Sequence, residues 1–259
     1  MVVFIYRKKN LEKLMLRFIV AALWVVVFLI VSIPLFLIEL IVGLFSKKAR
    51  AKSSQAIISF GFKGVLFIAG TDITVKGLEK IPAGEPVLFI PNHRSIFDIV
   101  ILYPLLKKKQ TAFVAKKELK KVPLFSSWMS LMNCKFLDRQ NPKAGLKTIL
   151  ECVDLIKDGI SIAIFPEGTR NKTNETLLPF HDGSLHIAKK SGCTIVPVAI
   201  NNTEKIFEAQ FPKVRKTKVC MEFCNPVVTK AYSKEDFKAL SELIRGELSK
   251  TIEKNQTLI

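Results

Sequence analysis

Apolar and polar positions follow different rhythms along this chain, and each rhythm marks out a region. From Phe18 to Phe45 the residues are apolar except Ser32 and Glu39. About 28 helical residues at about 1.5 Å each exceed a hydrocarbon core of about 30 Å, so the run predicts a membrane-embedded helix. Ile57 to Ala69, apolar but interrupted by Lys63, predicts a second helix in the same leaflet, with Pro34 as the place for a kink or re-entrant bend. A signal peptide would carry a shorter apolar core and a small-residue cleavage site, and a soluble core helix would not be apolar all round. Residues 1–69 are therefore expected to form an N-terminal membrane anchor of two helices, and residues 70–259 an α/β domain.

Beyond Gly70 the pattern changes to short apolar runs alternating with helical periods. Ile73–Val75, Val87–Ile90, Thr111–Ala115, Cys134–Leu137, Ile162–Phe165, Thr194–Asn201 and Lys218–Phe223 read as strands. Helices are expected over Ile96–Leu106, within Lys116–Asn133, from Pro142 through Ile156, over Ser184–Ser191, and in a last segment opened by Ser233 with Asp236. Such alternation predicts a mixed, largely parallel sheet flanked by helices. In sheets of this kind ligands bind beyond the carboxyl ends of the strands. His93, Lys116, Arg139 and Glu167 each follow a predicted strand at that end.

Charge sharpens the picture. Lys and Arg number 40 against 22 acids, a net charge of +18, which calls for an anionic partner. The apolar N-terminus favours membrane lipid, and the basic residues lack an aromatic–basic motif, so nucleic acid is not expected. Arg7, Lys8, Lys9, Lys13 and Arg17 precede the apolar run and Lys47, Lys48, Arg50 and Lys52 follow it, a distribution that favours both ends on the cytoplasmic side and a one-leaflet anchor over the alternative, a full span of the bilayer. Cys134, Cys152, Cys193, Cys220 and Cys224 are odd in number and sit mostly in apolar runs; they read as reduced core thiols, and no zinc spacing is present.

The densest polar cluster is Asn92-His93-Arg94-Ser95-Ile96-Phe97-Asp98, directly behind the Val87–Ile90 run. His93 and Asp98 are five positions apart, too far around a continuous helix to meet, so they pair only if His93 lies in the turn before the helix. Asp98 then takes the proton of one imidazole nitrogen and leaves the other as a base. Free N–H groups of the first helical turn, with Asn92 and Ser95, are expected to serve a developing oxyanion. In Glu167-Gly168-Thr169-Arg170 the glycine permits close backbone approach, the threonine supplies a hydroxyl, and the arginine a fork matched to phosphate oxygens.

Taken together, Asn92–Asp98, Phe113–Leu119 with Val122–Phe125, Phe136–Arg139, Phe165–Arg170 and Val196–Val198 resemble, in order and spacing, the conserved blocks of the 1-acylglycerol-3-phosphate acyltransferase family. The resemblance covers roughly Val87 to Ile200. It implies a glycerolipid acyltransferase-like fold and transfer of a fatty acyl group from acyl-CoA or acyl carrier protein to the sn-2 hydroxyl of lysophosphatidic acid, giving phosphatidic acid. It further implies His93 and Asp98 as the catalytic pair and Lys116, Arg139, Glu167, Gly168, Thr169 and Arg170 around the substrate phosphate. Neither cofactor nor metal is expected, and the catalytic domain would face the cytoplasm from the membrane. His181 stands where the family usually carries Lys, and Ser126-Ser127 where it carries a glycine, which leaves other acceptors open, glycerol 3-phosphate or another lysophospholipid. A non-catalytic anionic-lipid-binding protein would account for the charge but leave the His–Asp pair idle.

Overall fold

The computed structural model describes residues 2–233 and 236–259, with side chains from residue 12 onward apart from that of Asp182. The side chains of Arg7, Lys8 and Lys9 thus lie outside the described residues. Strands run over Asp72–Lys76 (β1), Val87–Pro91 (β2), Thr111–Lys116 (β3), Lys135–Leu137 (β4), Ser161–Ala163 (β5), Thr194–Asn201 (β6) and Lys218–Phe223 (β7). They form one sheet in the order β1-β7-β6-β2-β5-β3-β4. Every neighbouring pair is parallel except β6 and β7. The strands β6, β2, β5, β3 and β4 therefore bring their carboxyl ends to one edge.

β2 is buried along its whole length, as expected of an apolar run covered on both faces. Its alternate residues separate two cores. Val87 and Phe89 pack with helices α3 (Phe97–Leu105) and α4 (Phe125–Leu131), whereas Leu88 and Ile90 pack with α5 (Pro142–Lys157), α6 (His186–Ser191) and α7 (Phe237–Asn255). Within Lys116–Asn133 only Phe125–Leu131 is α-helical, following a 3₁₀ turn at Lys117–Lys121. Pro123 accounts for the shortening, since it lacks an N–H and keeps Val122 out of the helical region. All five cysteines are unpaired and buried, and burial pushes the Cys134 thiol up to about 11 and that of Cys152 to about 12.

The N-terminal region is an antiparallel helical hairpin, α1 (Val2–Phe45) and α2 (Lys47–Ala69). Of the kink or re-entrant bend expected at Pro34, the bend does not occur: α1 continues through Pro34, the chain reverses at Ser46, and Ser46 caps α2 by accepting the Ala49 N–H at 3.1 Å. The two helices touch closely because Gly61 and Gly64 leave room for Phe28 and Trp24: a β-carbon on Gly64 would lie 2.2 Å from the Trp24 ring. Trp24 Nε1 also donates to Gly61 O at 2.9 Å. The hairpin shares a core with the sheet domain. Ile58 and Ala69 join the α3–α4 core, Gln55 donates to Leu106 O and accepts from Thr111 N, and Trp128 of α4 donates to Ser32 of α1 at 3.1 Å. The opposite face of α1 exposes Leu16, Leu23, Ile30, Leu37 and Leu44.

Candidate active site

His93 lies just past β2, and its Nδ1 is 2.8 Å from Asp98 Oδ2 near the start of α3. The histidine side chain is 16% exposed and Asp98 is fully buried. A buried carboxylate is tolerated only when its oxygens are satisfied, and here they are. Oδ2 also accepts the N–H groups of Arg94 at 2.7 Å and Ser95 at 2.8 Å, and Oδ1 accepts the hydroxyl of Thr203. The imidazole stacks on Phe165 with ring centres 4.0 Å apart. With Nδ1 engaged and the ring pinned, Nε2 is the nitrogen left to exchange a proton.

The loop after β5 brackets the same residue. Glu167 Oε1 accepts the His93 N–H at 2.7 Å, Glu167 Oε2 accepts the Leu178 N–H at 2.8 Å, and the Asn171 N–H donates to His93 O at 2.7 Å. Burial raises the Glu167 carboxyl above its ordinary value, opposed by these two N–H donors. Both Glu167 oxygens are thus taken by backbone, and Glu167 does not line the cavity that Lys116, Arg139 and Arg170 line.

The expected oxyanion donors at Asn92–Ser95 are likewise spoken for. The Asn92 side chain exchanges two hydrogen bonds with the Ile200 backbone, at 2.9 and 2.7 Å, joining β2 to β6. The N–H groups of His93, Arg94 and Ser95 end on Glu167 and Asp98, and that of Ile96 ends on Glu208 at 2.9 Å. Ser95 Oγ donates to Glu208 at 2.6 Å. This turn is occupied by carboxylates before any substrate arrives.

A cavity of about 670 Å³ opens beside His93. Lys116, Arg139, Gly168 and Arg170 also line it, whereas Asn92, Ser95, Asp98, Glu167 and Thr169 do not. Its wall is otherwise mostly apolar and reaches from Ile96 and Phe165 past Tyr103, Trp128 and Met132 to Ile58 and Phe62 of α2. Lys116 and Arg139 make no side-chain hydrogen bond or ion pair among the described residues, whereas neighbouring Lys117 is held by Asp138 at 2.7 Å, which keeps that carboxyl below its usual range. Arg170 Nη1 donates to Glu208 at 2.9 Å. Gly168 has φ +67°, and a side chain there would collide with the His181 ring at 2.6 Å. Glycine is thus needed both for the left-handed backbone and for this close approach.

Thr203 and Glu208 did not emerge from the sequence. They follow β6, whose carboxyl end lies at the same edge as that of β2. The rule that singled out His93 and Glu167, polar groups just past a parallel strand, extends to them without change.

An acyltransferase family model matches residues 72–201. The chain is 34% identical to a 1-acyl-sn-glycerol-3-phosphate acyltransferase of Cocos nucifera over 70% of this chain and 58% of that protein. It is 31% identical to one of Saccharomyces cerevisiae over 71% of this chain and 60% of that protein. The chain thus spans about three-fifths of the length of these relatives. Among solved structures, the 1-acyl-sn-glycerophosphate acyltransferase PlsC of Thermotoga maritima is similar over 96% of this chain and 98% of that one, with a TM-score of 0.77 and 25% identity.

Proposed function

Since the chain belongs to the acyltransferase family, we propose that it transfers a fatty acyl group from an acyl thioester to the sn-2 hydroxyl of 1-acyl-sn-glycerol 3-phosphate, producing phosphatidic acid. The observation that carries this reading is a His–Asp pair beside a largely apolar cavity that Lys116, Arg139 and Arg170 also line. A lipid acceptor needs an apolar channel, a phosphate needs Lys or Arg, and an alcohol needs a base.

His93 Nε2 takes the hydroxyl proton as that oxygen attacks the thioester carbonyl. Asp98 holds the tautomer and stabilises the imidazolium that forms. Collapse of the tetrahedral adduct breaks the C–S bond, and the proton on His93 passes to the departing thiolate. No acyl-enzyme is required, because the thioester is already activated, and the sequence of steps uses no cofactor. Lys116, Arg139 and Arg170 bind the acceptor phosphate, with Gly168 allowing close approach of the backbone. An acyl chain lies along the Tyr103–Trp128–Met132 wall, which excludes the water that would hydrolyse the thioester.

The hairpin is the membrane anchor in this reading, embedded in one leaflet with the catalytic domain on the cytoplasmic face. Contacts from Phe18 with Phe207 to Phe36 with Trp128 hold α1 along the domain for about 27 Å at about 1.5 Å per residue. A helix so attached cannot cross the bilayer upright without drawing the domain in after it.

The test is thiol release by the purified protein in liposomes, with acyl-CoA and acyl carrier protein donors. The acceptors are lysophosphatidate, glycerol 3-phosphate and lysophosphatidylcholine. Release that depends on lysophosphatidate supports the assignment; a preference for another acceptor, or binding without release, overturns it.

A further inference from the structure

Glu208 lies outside every segment that carries the family resemblance, in the excursion between β6 and β7, yet it reaches both halves of the site. Oε2 accepts the Ser95 hydroxyl at 2.6 Å, and Oε1 accepts the Ile96 N–H at 2.9 Å and Arg170 Nη1 at 2.9 Å. The carboxylate is about four-fifths buried. One side chain therefore spans from the turn that fixes His93 to an arginine lining the cavity.

We infer that Glu208 is a positioning residue that sets the distance between the acceptor's phosphate and the base. Resting on the acceptor assignment above, the inference follows from what each partner would do alone. Arg170 is a long side chain, 37% exposed, and unheld it would spread over many rotamers. Held through Nη1 by a carboxylate, the guanidinium keeps one orientation and still has Nε and Nη2 for phosphate oxygens. Because the same carboxylate grips Ser95 and Ile96, a shift of the phosphate anchor relative to His93 must break a charge-assisted bond. Misplacement by about 1 Å can cost about 10²-fold in rate, so such a tether acts on turnover as well as on binding.

The segment that carries Glu208 is itself fastened. Phe207 stacks on Phe18 of α1 with ring centres 5.7 Å apart, Phe211 meets both rings, and the Val214 N–H donates to Leu14 O at 3.2 Å. The tether thus has a fixed base on the hairpin.

Glu208→Gln tests this in steady-state assays with each substrate varied in turn. Glutamine keeps the length, and its amide oxygen can still accept while its NH₂ donates to the Ser95 hydroxyl, but it removes the negative charge that holds the guanidinium. The expected result is a rise of about tenfold in the acceptor KM with a fall in kcat, and an unchanged donor KM. The double variant Glu208→Gln/Arg170→Gln should match Arg170→Gln alone in acceptor KM, because the two act as one unit. Additive effects, or a lowered melting temperature with both KM values unchanged, would mean Glu208 only braces the fold and would overturn the inference. Should Glu208→Gln not accumulate as folded protein, Glu208→Asp keeps the charge but is one methylene short of the span, and carries the same expectation. Wild-type protein in the same series separates the two levels: no transfer to lysophosphatidate overturns the acceptor assignment and this inference with it, whereas normal transfer with an unaltered acceptor KM in the variant overturns only the role of Glu208.

Discussion

The turn after β2 and the cations at the ends of β3 and β4 stand on the same sheet edge, yet they are finished in opposite ways. In the turn, four successive N–H groups and one hydroxyl end on Asp98, Glu167 and Glu208. At the ends of β3 and β4, Lys116 and Arg139 line the cavity with no side-chain hydrogen bond among the described residues. A group that must keep its geometry while bonds change is tied down by the protein itself. One that must grip an incoming anion is left to be satisfied by that anion. Arg170 stands between the two regimes, held on one edge and open on the other.

This contrast breaks most sharply at His93. His93→Ala should lower transfer about 10²–10⁴-fold with the fold intact, and Asp98→Asn should fall in the same range because the amide removes the charge that stabilises the imidazolium. Initial rates alongside circular dichroism check both; near-normal turnover in purified His93→Ala would defeat the mechanism.

Next comes Glu167→Gln, which takes one acceptor from the closed turn. The expected cost is about 1–3 kcal/mol of stability, together with a loss of turnover of up to about 10²-fold if His93 shifts by about 1 Å. The carboxyl also leaves a signature with pH. Its folded value is raised above the ordinary 4.5 by burial, so its contribution to stability is fully present below that ordinary value and is lost as pH rises through the raised one. Melting temperatures measured across this window should vary less with pH in Glu167→Gln than in the wild type.

A smaller effect is expected from Arg170→Lys, which keeps the charge but not the fork. Acceptor KM should rise several-fold to about tenfold and donor KM should stay the same; the reverse would mean the two substrates occupy each other's places. Lys116→Ala is the mildest change. An exposed point charge acting on phosphate through solvent is worth about 0.2–1 kcal/mol, so acceptor KM should rise about two- to fivefold, and the increment should shrink at high salt.

Much of this site was legible because the parallel sheet turns a list of strands into an address. Each apolar run ends at one edge, so residues read as lying just past it were brought near one another: His93, Lys116, Arg139 and Arg170 line one cavity. Spacing also fixed which partner His93 meets, since five residues exclude a shared helix face. What was not legible were partners chosen by tertiary contact. Nothing local to Asn92 indicates that its amide bonds Ile200, more than a hundred residues away, and nothing in the Thr203–Phe211 segment resembles a motif. The absence of a re-entrant bend at Pro34 was not legible for a related reason. Proline breaks an isolated helix, but one packed along a neighbour can absorb the missing bond, and the lone serine between Phe45 and Lys47 is a weak signal against it.

The five buried thiols make the native chain its own silent background. Maleimides react with accessible thiolate, and burial both shields all five thiols and raises each above its ordinary value, Cys134 to about 11 and Cys152 to about 12. Lys13→Cys and Lys48→Cys, at exposed positions on either flank of the apolar run, can therefore be read one at a time in sealed vesicles without first stripping the protein of its own cysteines. Both should be labelled from the face that carries the catalytic domain, and labelling from opposite faces would instead describe a helix that crosses.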